Sequence, residues 1–131
     1  MIVAVKRFVA DLTVWASSRD DVLGVALVGS QARGLATALS DVDVVILARE
    51  PDRYFRDTAW INAFGNPVRQ SVEPYGRLTS LRVWYQHGLE VEFGFGDEGW
   101  PRDPGGQAVM ANGMKVLLDR SLRFRPNERQ A

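Results

Sequence analysis

The 131-residue chain has no cysteine, which excludes disulfide scaffolds, zinc ribbons and thiol nucleophiles together. It has no net charge, because sixteen Lys and Arg balance sixteen Asp and Glu. No overall positive field therefore exists to hold a long nucleic acid. It has no run of eighteen apolar residues, so neither a membrane span nor a membrane partner is expected. Its single histidine, His87, sits beside Gly88 and reads as a turn residue rather than a base. The segment "GSQARG" lacks the Gly-Lys-Ser/Thr ending of a Walker loop, and Gly29 and Gly34 do not fit G-x-G-x-x-G. There is no internal repeat and no low-complexity linker. What is present is 46% apolar residues in a length suited to one domain with a real core. The start, "MIVAVKRFVADLTVWA", looks like a secretory leader only in outline, since Lys6, Arg7 and Asp11 break it. It reads instead as the first helix of a cytoplasmic protein.

In that helix Val5, Phe8, Val9, Leu12 and Trp15 follow the spacing of one buried face. "VLGVALVG" predicts a buried strand over 23–28, ending at Gly29. Residues 31–39 can form a short helix with Ser30 as its N-cap, because a serine hydroxyl can accept a bond from a first-turn amide. "VDVVILA" predicts the second strand. "PDRYFRDTAWINAFG" has Pro51 at a helix start, Tyr54, Phe55, Trp60, Ile61 and Phe64 for a buried face, and Gly65 as a stop, predicting a second long helix. "PVRQSVEPYG" fits an edge strand bounded by Pro67 and Pro74. "LRVWYQ" and "LEVEFGF" flank His87-Gly88 at hairpin spacing. "RDPGGQAVMANG" reads as a loop with about one helical turn, "MKVLLD" as a last strand, and the polar tail from Arg123 as frayed. Helices and strands mix without strict alternation. The class is therefore α+β, a mixed sheet with helices mainly on one face.

One strand carries an anomaly. Side chains alternate along a strand, so Asp41 and Asp43 share a face about 7 Å apart while Val42 and Val44 point the other way. At an effective dielectric near 20, two charges at that spacing repel by about 2 kcal/mol, a cost that water or a cation must relieve. Alone, the pair also fits a strand that begins in solvent, with Asp43 capping or paired with an arginine. Just upstream, Gly29-Ser30 stands at a strand-to-helix junction, where first-turn amides can seat a phosphate. The same pair also fits a plain turn. A third carboxylate on another strand is needed to hold two divalent ions. "LEVEFGF" offers Glu90 and Glu92 on one face and Leu89, Val91, Phe93 and Phe95 on the other. That alternation suits either a metal site or the wet side of a hairpin. Four tryptophans, Trp15, Trp60, Trp84 and Trp100, are core residues or a stacking platform for a base.

"GSQARGLATALSDVDVV", followed by an acid on a later apolar strand, resembles the nucleotidyltransferase superfamily of DNA polymerase beta in its small, single-domain bacterial form. "WINAFG" and "NGMKVLLDR" are most similar to the streptomycin adenylyltransferase branch, and the resemblance covers about residues 20–120. It implies a nucleotidyltransferase domain over 1–122 with a polar C-terminal tail over 123–131. It implies that Gly29 and Ser30 hold a nucleoside triphosphate, with Arg33 near its phosphates. Asp41 and Asp43 match the paired catalytic metal ligands. Glu92 matches the third carboxylate, being four places after Gly88 and between two apolar residues, with Glu90 as its rival. The family more often has Asp there, so Glu92 would serve as metal ligand or as base toward the acceptor. The implied cofactor is Mg2+, as two ions, and the implied substrate is ATP, whose AMP moves to a hydroxyl of a small, aminoglycoside-like acceptor. Two other readings stay open: an antitoxin-type domain that binds or adenylylates a partner protein, and an idle binding module. The streptomycin enzymes add a helical domain that shapes the acceptor site. Here that site would be small, supplied by another protein, or completed by a second copy in a homodimer.

Overall fold

The computed structural model describes residues 1–37 and 41–125. Six strands form one mixed sheet: β1 (Val22–Val28), β2 (Val42–Ala48), β3 (Pro67–Tyr75), β4 (Leu78–Tyr85), β5 (Glu90–Gly96) and β6 (Lys115–Asp119), in the order β3-β4-β5-β2-β1-β6. The pair β2·β5 is parallel and the other pairs are antiparallel. A fold of this kind needs both sides of its central strands covered. All seven residues of β1 are buried, and in β2 only Asp43 interrupts the buried run.

Helix α1 (Val3–Ser17) lays Val5, Phe8, Leu12 and Ala16 on one face of the sheet, the periodicity that the sequence shows. Beside it sits an aromatic group built from Trp60, Phe64, Phe93 and Phe95. Trp60 meets Phe93 edge-on with ring centroids 4.8 Å apart, and its indole N–H donates to the Tyr54 carbonyl at 2.9 Å. Trp60 is thus a core residue with the half-buried Trp15 packed against it, and Trp100 is buried on the opposite face with Leu47 and Phe124. Trp84 is half-buried on the open part of that face.

Several elements differ from expectation for local reasons. The second long helix is split into α3 (Arg53–Arg56) and a 3-10 turn over Ala59–Phe64. At the break Asp57 is extended, and its side chain accepts a bond from the Ala59 amide at 3.0 Å. That is how an Asp side chain outcompetes a helical bond. The helix expected over 31–39 is α2 (Gly29–Arg33), one turn ended by left-handed Gly34. It starts at Gly29, so Ser30 lies inside its first turn and makes no capping bond. Residues 38–40 of that expectation lie outside the described residues, as do 126–131 of the tail.

The segment read as a loop contains an eight-residue helix, α4 (Pro104–Ala111), whose N-cap Asp103 accepts from the Gly105 amide. Capping acid followed by proline is a helix start that the glycines concealed. Phe124, placed in the polar tail, is buried against β1 and β2. A further hairpin joins β3 to β4 through Gly76 (φ 63°) and Arg77, with Tyr75 opposite Leu78. His87 does more than turn the chain, because its Nε2 lies 3.0 Å from the Phe64 carbonyl and ties the 3-10 turn to the β4–β5 hairpin. Among the described residues, no helix is long and apolar enough to cross a membrane.

Candidate active site

Parallel pairing of β2 and β5 sets Asp43 directly beside Glu92. Strand alternation sends both side chains, with Asp41, to the face opposite α1. Asp41, Asp43 and Glu92 each offer a carboxylate oxygen within 4.8 Å of the others. All three are half-buried. The rival Glu90 points to the same face but is held by Arg82, whose Nη2 donates to it at 2.6 Å. Arg82 stands opposite Glu92 on β4 and also lies 3.7 Å from Glu73. One guanidinium is thus surrounded by three glutamates, and these hold its pKa above the usual value.

The electrostatics are those of a crowded acid cluster. Burial, a hydrogen bond with Glu92 and the charges of Asp41 and Glu92 push the Asp43 carboxyl up to about 8. Asp41 is shifted upward too, by burial and then by Glu92 and Glu90, with Arg82 opposing. Asp43 Oδ1 is buried and has no hydrogen-bond partner among the described residues. An orphaned carboxylate oxygen in a set of three acids fits a hard, oxygen-seeking divalent cation.

The Gly-Ser turn is shaped by the same carboxylate. Gly29 has φ 68°, and a Cβ built on it would overlap Asp43 Oδ2. Glycine is required here twice, once for the backbone and once for the approach. Ser30 is half-buried in the first turn of α2. Gln31, which the sequence reading passed over, is 6% exposed and directs its amide toward the Asp41 carbonyl at 3.5 Å. It links α2 to the start of β2.

A cavity of about 690 Å³ opens beside the acids, walled by Gly29 and Arg33, by Leu78 and Gly94 of the sheet, and by Val109 of α4 and its C-cap Asn112. Asp43 and Glu92 line it, whereas Ser30 and Asp41 do not. Arg33 is exposed, lies against Gly113, and has no ion-pair partner among the described residues. Sequence reasoning also missed Tyr75, which lines the cavity and brings its hydroxyl to 2.8 Å from Glu73 and 3.4 Å from Glu92. Nothing local could have found it, because the β3–β4 and β4–β5 pairings bring it there.

Comparison with known proteins agrees with this architecture. Residues 14–76 match the nucleotidyltransferase domain family. The fold is similar to that of an aminoglycoside 6-adenyltransferase from Bacillus subtilis, with a TM-score of 0.53 and 13% identity over 68% of this chain. The alignment spans only 34% of that enzyme. No curated protein sequence matches this chain.

Proposed function

We propose, for a chain whose residues 14–76 match the nucleotidyltransferase domain family, that it moves AMP from ATP to a hydroxyl of a small acceptor, aminoglycoside-like in chemistry. The observation that carries this reading is the convergence of Asp41, Asp43 and Glu92, the last two of which line a cavity large enough for a nucleotide. These three carboxylates would hold Mg2+. When bound, the ions supply positive charge to the triphosphate and lower the pKa of the acceptor hydroxyl.

The chain's own groups do the rest. Gly29 and the first amides of α2 orient the phosphates, and Arg33 faces the same cavity with its charge free to meet them. The apolar wall of Leu78, Ala108 and Val109 excludes water from the nucleotide. Arg82 neutralises Glu90 and Glu73, so that Glu92 alone of the β5 acids is left to the site. The acceptor oxygen then forms its bond to the α-phosphorus as the bond from that phosphorus to pyrophosphate breaks. The hydroxyl proton passes to a carboxylate or to water. A surplus of acid around the cavity suits a cationic acceptor better than an anionic one.

The test is pyrophosphate release from ATP with Mg2+ and a panel of aminoglycosides. Release that needs metal and an acceptor, and that disappears in Asp43→Asn, is the expected result. Undiminished release by a folded Asp43→Asn protein would refute the assignment.

A further inference from the structure

Strand β3 is a nine-residue sheet edge with Val68 64% exposed and Val72 58% exposed. A long, open edge with apolar side chains is a template for another strand. The hairpin geometry fixes which groups it presents. Tyr75 and Leu78 close a two-residue turn that begins at left-handed Gly76, so Tyr75, Glu73 and Ser71 bond inward to β4. Pro74, Val72 and Gln70 then turn their backbone groups outward. Pro74 lacks an N–H, while Gln70 and Val72 each offer a donor and an acceptor.

The charges on this strand are symmetric about Ser71. Arg69 lies two residues before it and Glu73 two after, on the face shared with Trp84 and Arg82. Arg69 stacks on Trp84 with its guanidinium carbon 4.7 Å from the ring centroid, and no carboxylate pairs with it among the described residues. Suppose a second copy of the strand runs antiparallel with Ser71 opposite Ser71. Gln70 then faces Val72 of the second copy, and the two exchange both backbone bonds, twice by symmetry. Arg69 faces the second copy's Glu73 in a non-hydrogen-bonded position, where side chains approach most closely. The exposed Val72 meets its own copy on the diagonal. Centring the pair one residue either way opposes Arg69 to Tyr75 or to Ser71 and loses both ion pairs. Charges that guard an edge repel an incoming strand, whereas these attract one in a single register.

We infer that β3 is a homodimer interface, in which two copies of this chain join their six-stranded sheets edge to edge through Gln70–Val72 backbone pairs and Arg69–Glu73 ion pairs. The two-fold axis stands perpendicular to the sheet. Both acid clusters then open on the same side of one continuous twelve-stranded sheet.

Sedimentation of the full chain at low salt tests this without reference to activity. A dimer that dissociates on dilution is expected. Arg69→Glu or Glu73→Arg should weaken it by about tenfold or more, and the double charge exchange R69E/E73R should restore it. Glu73→Arg also removes a contact with Arg82, so Val72→Pro supplies a variant that keeps every charge and deletes an outward donor; it too should be monomeric. Circular dichroism and the unfolding midpoint confirm that each variant is folded. A wild-type chain that stays monomeric at its highest soluble concentration overturns the proposal, including the case in which the edge takes an extended peptide from another protein. So does a dimer indifferent to charge reversal and to Val72→Pro.

Discussion

A single carboxylate, Asp43, explains most of what is unusual at the residue scale. In the folded chain without metal it keeps its proton up to about pH 8, whereas in the unfolded chain it loses it near 3.8. Its contribution to stability is therefore complete below the lower value and is lost as pH rises through the upper one. In chelator, the unfolding midpoint should fall between about pH 4 and pH 8, with Asp43→Asn flattening that slope. A slope unchanged in the mutant would show that other groups set it. Gly29→Ala forces a side chain into the left-handed region and into Asp43; a loss of about 1–2 kcal/mol is expected from the backbone alone, read by denaturant unfolding. The acids were legible in the sequence because alternation is a strong constraint. Alternation alone does not separate Glu90 from Glu92, since both share a face; the resemblance favours Glu92, and Arg82, on the strand paired with β5, binds Glu90.

Elements with one dominant local signal were read correctly, and those with competing signals were not. Helix α1 and strands β1 and β2 carry unbroken apolar periodicity, and tertiary packing agrees with it. The stretch after Pro51 carries the same apolar content, yet Asp57 breaks it into two short pieces. α4 was missed because Gly105 and Gly106 weaken a helix by propensity. Gly106 is nevertheless needed, since a Cβ there would collide with the Trp100 carbonyl. This helix forms one wall of the cavity, and its start depends on Asp103. Asp103→Ala should cost about 1 kcal/mol of stability. It should also raise KM for ATP more than it lowers kcat, because it loosens a binding wall and leaves the acids in place. Steady-state kinetics would separate the two, and a fall in kcat alone would argue against this role for α4.

For the whole molecule, ligand and fold should reinforce each other. ATP with Mg2+ at about a hundred times its dissociation constant should add about 2.7 kcal/mol to the unfolding free energy, several degrees in a chain of this size. Neither ATP nor Mg2+ alone should match that shift in a thermal melt. No shift with any nucleoside triphosphate would count against a nucleotide site in this cavity.

The parallel contact of β2 with β5 has one more consequence, in time rather than in space. Asp43 and Glu92 are nearly fifty residues apart in the chain, and the β3–β4–β5 meander must form and dock before they meet. Closing so large a loop is among the slower events in the assembly of a small domain. A growing chain therefore has its core helix and first strands long before Asp43 and Glu92 stand side by side. In refolding, recovery of cation affinity should coincide with the final kinetic phase, so that only a chain with its strands in the right register can begin to bind.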